Sequence, residues 1–571
     1  MTNPAVPALP AGIRHESLEV GAAPVIRRFL ERLDLPGLFD RHLPRWRGRQ
    51  RDLPTSTVLG VLLSNLLLAR EPLYAIAAWA SGFVPEHLGL LPGQAALLND
   101  DRCGRSLNHL FRADRASLLT AVALRSIDVF QLVLKEMHQD TTTITLSGEY
   151  AHQPPAEQSN RPARITQGHN KDHRPDLKQL LYNRTVTSDG AVPIHCKIHD
   201  GNTTDNKVHK ETWLALCKIL GGPDFLYVAD SKLCNRGDMR LIAQSKGRFL
   251  TVMPRTRAEH ARFLAWVQDN EVDWSLVSRT ENPRGKQKPE VVYRGFEDSQ
   301  GSQEDYCILW YHSSQKQERD YQARMKKLNK TRKRLQRLRP PGRGEAFKTE
   351  QAAREAAGRV LEKAKVQDWL HVVIEEVVQV EHVQVGRGRP GANTLYKQVQ
   401  NKSYKIRVED DETALRRAAR CDGLFALMSN DKSLGLKGAL EKYKYQPYAE
   451  KRHEQLKSVF NVRPVWVKNV KRVESLLWLY HLVELVQALL EREVRRQMEE
   501  AETESLALYP EERHSAAPTS ELVLNALQGH RRHRLLDEQG QEIYRFHDPV
   551  GEVAQTVLDL LRIDRAAYGL S

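Results

Sequence analysis

The first 131 residues carry apolar side chains at spacings of three and four, the pattern of helices that bury one face. The predicted helices begin near Pro24, Thr55, Leu73, Arg105 and Arg115. Residues up to about 20 contain prolines and glycines without any period, which predicts a loose arm. We therefore predict a small all-α N-terminal domain over residues 1–131.

The pattern becomes that of a sheet after residue 131. Residues 137–146 are rich in β-branched side chains, and residues 180–198 predict a β-hairpin that turns at Ser188-Asp189-Gly190. Two short, continuous apolar runs, 225–229 and 249–253, are typical of buried strands with helices between them. Residues 132–255 are therefore predicted to form the first part of a mixed α/β core whose sheet is flanked by helices.

Residues 256–420 interrupt that core. Residues 315–343 are strongly basic with a thin apolar stripe, which predicts an exposed helix or helical hairpin. Residues 371–385 alternate as exposed strands do. We interpret this region as a largely β insertion with a basic helical segment.

A second part of the core follows over residues 421–500. It contains a buried strand at 423–428, helices at 433–443 and 450–460, and a long apolar helix from Val470 to about Glu500. Residues 501–571 have no informative pattern and are assigned to a C-terminal tail of unknown role.

Composition narrows the possible partners. The chain has 86 basic and 72 acidic residues, a net charge of +14, which favours nucleic acid over an acidic membrane surface. Its six cysteines form no C-x-x-C pair, so neither a zinc site nor a disulfide framework is indicated. No secretory signal and no apolar run long enough to span a bilayer are visible. We expect a soluble cytoplasmic protein without a membrane partner.

Three carboxylates stand where such an architecture can use them. Asp140 lies at the start of the first core strand, Asp230 at the end of a buried strand, and Glu450 on the edge of a helical face. An oxygen-only set of this kind suits Mg²⁺, or Mn²⁺, rather than zinc. Two such ions can activate a nucleophile and stabilise the leaving oxygen of a phosphodiester.

Each of these carboxylates has another interpretation. Asp140 can cap a turn, Asp230 can be a helix N-cap, and Glu450 can belong to a solvated helix face. Four other aspartates compete for the same role: Asp172, Asp176, Asp200 and Asp224.

The joint pattern resembles the DDE transposases of bacterial insertion sequences, and within them the branch with a Tyr-x2-Arg-x3-Glu-x6-Lys signature. The signature reads Tyr443, Gln446, Glu450 and Lys457 here, with every spacing kept and glutamine in place of arginine. The segments 138–142, 168–179, 227–230 and 472–477 also match that family. The resemblance covers roughly residues 20–500.

The resemblance implies an RNase H-like core with Asp140, Asp230 and Glu450 as catalytic residues and ligands of two Mg²⁺ ions. Such an enzyme cleaves double-stranded DNA at terminal inverted repeats and joins the freed 3′-hydroxyl ends to target DNA. The resemblance also implies that the protein acts as a homodimer in the DNA complex and is associated with the bacterial nucleoid. It implies, further, that the N-terminal domain binds DNA.

Further DNA contacts are predicted around the glutamate and in the basic segment. The resemblance implies that Tyr443 and Lys457 hold phosphates near the scissile bond, with Lys444, Lys451 or Arg452 compensating for the missing arginine at Gln446. The basic segment, represented by Lys327, Lys330 and Arg334, can follow a DNA backbone or can be a solvated coil. The predicted DNA-binding residues are thus Tyr443, Gln446, Lys451, Arg452, Lys457, Lys327, Lys330 and Arg334.

Two other functions are compatible with the same residues. One is an RNase H-like DNA nuclease that cuts without strand transfer, and the other is a non-catalytic DNA-binding protein. Joining of a 3′-hydroxyl end to target DNA distinguishes the first from a transposase. An inert descendant is expected to have lost at least one of the three carboxylates, and all three are present.

Overall fold

The computed structural model describes residues 12–45, 53–150, 153, 161–171, 174–204, 207–282, 285, 287–340, 346–454, 469–509 and 511–570 of the 571-residue chain. The protein is mixed α/β and divides into two compact units. The first unit consists of residues 1–251 and 441–571, and the second of residues 252–440. The first unit is therefore built from two segments that are far apart in sequence.

The elements up to residue 252 are β1 (Arg14–Glu19), α1 (Ala23–Arg32), α2 (Leu35–His42), α3 (Thr55–Leu68), α4 (Ile76–Ser81), α5 (Asp100–Arg112), α6 (Arg115–Phe130), β2 (Glu136–Leu146), β3 (Lys178–Thr187), β4 (Pro193–Asp200), α7 (His209–Leu220), β5 (Leu226–Ala229), α8 (Arg236–Gln244) and β6 (Arg248–Val252). Next come α9 (Ala258–Asp269), β7 (Ser275–Thr280), β8 (Val291–Asp298), β9 (Cys307–Ser313), α10 (Ser314–Gln336), α11 (Glu350–Ala364), β10 (Leu370–Gln384), β11 (Tyr396–Asp410), α12 (Glu412–Ala419), β12 (Leu424–Ser429) and α13 (Leu436–Tyr443). The chain continues with α14 (Gln446–Glu454), α15 (Val470–Glu500), α16 (Ser520–Asn525), β13 (Arg531–Leu536), β14 (Glu542–His547) and α17 (Glu552–Leu560).

The mixed sheet of the first unit has its strands in the order β4-β3-β2-β5-β6. The pairs β2–β3 and β3–β4 are antiparallel, whereas β5 is parallel to both β2 and β6. The predicted hairpin is confirmed as β3 and β4, and Gly190 in its turn has a φ of 85°, which favours glycine. The predicted buried strand before Asp230 is confirmed as β5, all four residues of which are buried.

Helix α15 is the long central helix of the first unit, and most of its residues are buried. Its predicted bounds are confirmed. It is long and apolar enough to cross a bilayer, but 94% of its most apolar window is buried inside the protein, as expected of a core helix. Among its buried side chains are four glutamates that each meet an arginine of another element: Glu474, Glu484, Glu491 and Glu493. Buried charges need such partners, so α15 fixes several elements by specific pairs as well as by apolar contact.

The two ends of the described chain meet in a small sheet, which corrects two sequence-based expectations. Residues 14–19 form β1 instead of a loose arm, so the N-terminal region is not all-α. The tail contributes β13 and β14, and the sheet has the order β1-β13-β14. Arg14 pairs with Leu536 and Glu19 with Arg531 in an antiparallel register.

The second unit contains the antiparallel strands β12, β9, β8 and β7 in that order. Helix α9 packs on them through Phe263, whose ring stacks on Trp310 at 3.8 Å between centroids. Helices α10 and α11 pack on each other and on the antiparallel ribbon β10–β11 through a cluster that includes Leu328, Val360 and Leu370. The basic segment thus forms an ordered helix, as predicted, and the ribbon supplies the predicted exposed strands.

Candidate active site

The sheet register brings two of the predicted carboxylates side by side. Strands β2 and β5 are parallel neighbours in which His138 lies opposite Val228. Continuing that register by two residues places Asp140 level with Asp230, the residue that follows β5. Adjacent strands are about 4.8 Å apart. Asp140 lies in the middle of β2, not at the start of the strand as predicted, because β2 begins at Glu136 and pairs with β3 on its other side.

Helix α14 carries Glu450 and is attached to the sheet by its buried face. Gln446 Nε2 donates a hydrogen bond of 2.8 Å to the backbone oxygen of Gln139, the residue before Asp140. Ala449 packs against Val186 in β3. Since Gln446 and Ala449 point into the protein, Glu450 is left exposed one residue beyond the buried face.

A buried arginine ties the same helix to α15. Arg184 lies directly opposite Asp140 in the β2–β3 register and is 1% exposed. Its guanidinium pairs with Glu484 of α15 and donates a 3.1 Å hydrogen bond to the backbone oxygen of Ala449. Burial raises the pKa of Glu484, and the charge of Arg184 opposes that rise. One ion pair therefore holds the strand beside Asp140 and the helix beside Glu450.

The three carboxylates influence one another electrostatically. Burial and, to a lesser extent, the negative charges of Asp230 and Glu450 raise the pKa of Asp140 to about 6, against the lowering effect of the Lys171 charge. Both other carboxylates are thus near enough to act on Asp140. A carboxyl group with a raised pKa among like charges is a common feature of functional sites.

Lys171 is the cation of this cluster, and its role was not predicted from the sequence. Its Nζ donates hydrogen bonds of 2.5 and 2.8 Å to the backbone and side-chain oxygens of Thr141, next to Asp140. The neighbouring Asn170 is fixed by hydrogen bonds to Thr145 and Gln179. The segment that resembles the transposase family therefore lies on β2 and places a positive charge at Asp140.

Glycine is required at two positions where residues 168–171 approach the backbone at the end of β4. A Cβ atom on Gly168 would lie 2.1 Å from the backbone oxygen of Gly201, and a Cβ on Gly201 would lie 2.0 Å from that of Gln179. Such distances are impossible for other residues without movement of the backbone. The close approach brings the segment within hydrogen-bond reach of β2.

The alternative roles of Asp140 as a turn cap and of Asp230 as a helix N-cap can be compared with their hydrogen bonds. Asp140 Oδ1 accepts a hydrogen bond of 2.7 Å from the backbone N–H of Thr141. Asp230 Oδ1 accepts one of 3.0 Å from Lys232, but the helix that follows is capped by Asn235. Asp230 is therefore not the predicted N-cap.

The competing aspartates lie in other surroundings. Asp172 is outside the described residues, and the other three face an arginine: Arg174 for Asp176 (2.8 Å), Arg161 for Asp200 (2.7 Å) and Arg248 for Asp224 (3.2 Å). The electrostatic cluster around Asp140 consists of Lys171, Asp230 and Glu450 instead.

The donor set suits a hard divalent cation. Three carboxylates with mutual repulsion gain from a positive charge between them, and oxygen-only ligands are those that Mg²⁺ and Mn²⁺ prefer. Among the described residues, no three His, Cys, Asp or Glu side chains are grouped closely enough to hold an ion as they stand. The side chains of Asp140, Asp230 and Glu450 would therefore have to move closer together to share one.

Two of the predicted DNA-binding residues are buried and anchor α14. Gln446 is 5% exposed and occupied by β2, as described above. Arg452 is equally buried and donates hydrogen bonds to Glu491 at 2.7 Å and to the backbone oxygen of Gly190 at 3.3 Å. Their spacing from Glu450 could be read from the sequence, whereas the direction of their side chains depends on tertiary packing.

The remaining predicted contacts near the glutamate lie on the surface or outside the described residues. Tyr443 ends α13 and is half-buried. Lys451 is exposed and lines a cavity of about 420 Å³ together with Tyr448, Arg495 and Arg496. Lys457 lies outside the described residues.

The residues predicted from the basic segment belong to α10 in the second unit. Lys327 donates a 2.9 Å hydrogen bond to the backbone oxygen of Lys365 and lies 5.4 Å from the ring centroid of Trp369. Lys330 and Arg334 are exposed, so both can reach a partner.

Comparisons with known proteins give little further information. A family described as a domain of unknown function (DUF4277) matches residues 15–124, the region of helices α1–α6. No curated protein matches the chain. One matching solved structure is the cryo-EM structure of the piggyBac transposase synaptic complex with hairpin DNA, with 9% sequence identity and a TM-score of 0.26. The match covers 52% of this chain and 62% of that one, and at this score it carries no argument.

Proposed function

We propose that the protein is a metal-dependent DNA strand transferase of the insertion-sequence type. It would cleave DNA at terminal inverted repeats and join the 3′-hydroxyl ends to target DNA. The observation that carries the proposal is the convergence of Asp140, Asp230 and Glu450, which come from three distant segments, in one electrostatic cluster. Independent support comes from the signature spacing around Glu450.

The topology of the first unit supports an RNase H-like core. Its antiparallel strands β2, β3 and β4 are extended on the β2 side by the parallel strands β5 and β6. Asp140 then lies in the central strand β2, Asp230 directly follows the neighbouring strand β5, and Glu450 lies on a helix packed against β2. Two-metal chemistry on a phosphodiester needs such carboxylates within shared coordination distance, so the proposal includes the closer approach of the three side chains described above.

Asp140, Asp230 and Glu450 would hold the two Mg²⁺ or Mn²⁺ ions. When bound, such ions supply Lewis-acid stabilisation of the attacking and leaving oxygens. Lys171 would balance the charge of Asp140, and Arg184 with Gln446 would hold α14 in position. Lys451, Tyr443 and Lys457 would contact phosphates near the scissile bond, with a homodimer bringing two DNA ends together.

The direct test replaces each carboxylate by its amide in the full chain: Asp140→Asn, Asp230→Asn and Glu450→Gln. Each variant should lose Mg²⁺-dependent cleavage of the DNA flanking its gene by about three orders of magnitude, because several kcal/mol of charge stabilisation disappear. Binding to the same DNA should remain. Asp224→Asn, which removes the fully exposed carboxylate ahead of β5, is the matched control and should cut normally.

Cleavage at full rate by any of the three variants would overturn the assignment of that residue. A second assay supplies DNA with a free 3′-hydroxyl end and scores joining to a supercoiled target. Cleavage without joining would identify a nuclease, and binding without either activity would identify a DNA-binding protein.

A further inference from the structure

The β10–β11 ribbon of the second unit is long and open to solvent. Each strand has 15 residues, and at about 3.3 Å per residue the ribbon extends roughly 50 Å. The base of the ribbon packs on α10 and α11, whereas Val380, Val385, Leu395 and Tyr396 near its far end are each at least 50% exposed. A ribbon with so little cover at its tip is suited to contact another molecule.

Charge is distributed unevenly along this ribbon. Near the base, Lys402 pairs with Glu376 at 3.0 Å, and Arg407 pairs with Glu375 at 2.9 Å. No acidic residue occurs from position 382 to 397, around the tip, whereas three basic residues do: Arg387, Arg389 and Lys397. Positive charge is therefore neutralised at the base and accumulates towards the tip.

The tip itself carries the sequence Gly386-Arg387-Gly388-Arg389-Pro390. Both arginines are exposed, and within the described part of the chain neither guanidinium has an ion-pair or hydrogen-bond partner. A guanidinium group is more weakly hydrated than an ammonium group, so these two exposed arginines can meet an anionic partner at low cost in desolvation.

Two hydrogen bonds and two glycines with positive φ define the backbone conformation of the tip. Val385 N–H donates to the backbone oxygen of Leu395 at 2.8 Å, and Gln384 Nε2 donates to that of Gly388 at 3.1 Å. Gly386 and Gly388 have φ angles of 104° and 136°, which other residues rarely adopt. A Cβ added to either glycine would meet no heavy atom within 4 Å. The space beside the glycines is therefore open, and their lack of side chains makes the connection between β10 and β11 narrow.

We propose that the tip of the β10–β11 ribbon binds the minor groove of A·T-rich duplex DNA through Arg387 and Arg389. The minor groove is about 6 Å wide, too narrow for a ribbon but wide enough for a glycine-flanked backbone. Runs of A·T pairs narrow the groove further and strengthen its negative potential, which attracts arginine in particular. Pro390 lacks a backbone N–H group, so it adds no donor that would need a partner inside the groove.

The observations favour this partner over two others. Binding to phosphates alone needs charge but neither the two positive-φ glycines nor arginine rather than lysine. Insertion into the major groove would use the ribbon faces, where Lys402 and Arg407 are already paired with glutamates. Within the described residues 370–410 of the ribbon, unpaired arginines and a narrow glycine-flanked backbone occur together at the tip.

The inference uses only the DNA-binding part of the proposed function, so it is tested apart from cleavage. The test measures equilibrium binding of the full-length Asp140→Asn protein, without metal, to three duplexes of equal length by fluorescence anisotropy. Their central pairs are A·T, G·C or inosine·C. Inosine·C presents the minor groove of A·T, because inosine lacks the guanine amino group, but keeps the major-groove acceptors of G·C.

The expected result is that A·T and inosine·C duplexes bind about tenfold more tightly than G·C. Adding Arg387→Ala and Arg389→Ala should abolish the preference, and Arg387→Lys with Arg389→Lys should restore affinity without the preference. Arg359→Ala with Lys363→Ala, which removes two exposed charges from α11, is the charge-matched control and should keep the preference.

Three results would overturn the inference: no preference in the parent protein, a preference that survives the double alanine variant, or inosine·C behaving like G·C. Self-association that is lost with the two arginines, together with unchanged DNA binding, would assign the tip to a second copy of the chain. The three carboxylate variants report separately on cleavage, so failure here leaves the proposed function standing.

Discussion

The strand pairs β2–β3 and β10–β11 have the same antiparallel backbone and opposite surroundings. In β2–β3 nearly every side chain is buried, and the polar ones have fixed partners, such as Gln139 with Asn183 at 2.7 Å. In β10–β11 the charged side chains pair across the strands in water. Strand pairing therefore does not decide what a charged residue does. A half-buried carboxylate such as Asp140, with other acidic groups near it, is held in place at an electrostatic cost, whereas an exposed arginine such as Arg389 is available to a partner.

The largest expected effect comes from breaking the buried pair beside Asp140. Glu484→Gln leaves the Arg184 charge buried without its carboxylate, and we expect a loss of about 3–5 kcal/mol in the free energy of unfolding. Urea denaturation followed by circular dichroism measures it. A loss below about 1 kcal/mol would mean that Arg184 finds another partner or solvent, and that the pair does not hold α14.

A smaller effect, with a defined pH dependence, is expected at Asp140. Because the folded-state pKa of about 6 lies above the ordinary 3.8, the folded protein binds the proton more tightly than the unfolded chain. The native state is therefore penalised as the pH rises from about 4 to 6. Asp140→Asn removes that penalty, so its stability relative to the parent should rise over this range by up to about 3 kcal/mol, at about 1.4 kcal/mol per pKa unit.

Urea denaturation at several pH values, in EDTA, measures this difference, and Asp224→Asn shows whether any aspartate-to-asparagine change gives the same result. A relative stability of Asp140→Asn that is constant between pH 4 and pH 8 would contradict the raised pKa.

The smallest effect is expected on the exposed ribbon. Glu375→Gln removes the cross-strand partner of Arg407, and both side chains are about half exposed. We expect a change within about 0.5 kcal/mol, because solvent and salt screen such pairs. The same denaturation assay measures it, and a loss comparable to that of Glu484→Gln would show that the ribbon is coupled to a core in a way that its exposure does not suggest.

Periodicity predicted the elements of the fold best where one face of an element, or the whole element, is buried. The bounds of α15, the hairpin β3–β4 and the position of Asp230 after β5 could all be predicted, because apolar runs and turn residues mark them. The terminal sheet could not: β1 reads Arg-His-Glu-Ser-Leu-Glu, a polar segment whose strand conformation depends on a partner more than 500 residues away.

For the candidate site, motif spacing located residues but not the directions of their side chains. The signature placed Gln446 beside Glu450, yet only packing shows that Gln446 faces β2. Lys171 and Arg184 were missed because a lone cation in a strand or loop has no periodic signal. The segment 168–179, noted for its resemblance, was the available clue to Lys171.

The division of the first unit between two chain segments has a consequence for biosynthesis. Asp140 and Asp230 leave the ribosome before residues 252–440, and Glu450 leaves after them. At 5–20 residues per second, about 10–40 s separate the second aspartate from the glutamate. During that interval the contiguous second unit can fold, but the nascent chain lacks α14 and α15. A ribosome-bound intermediate of this protein would therefore be able to present its arginine-tipped ribbon before its carboxylate cluster exists.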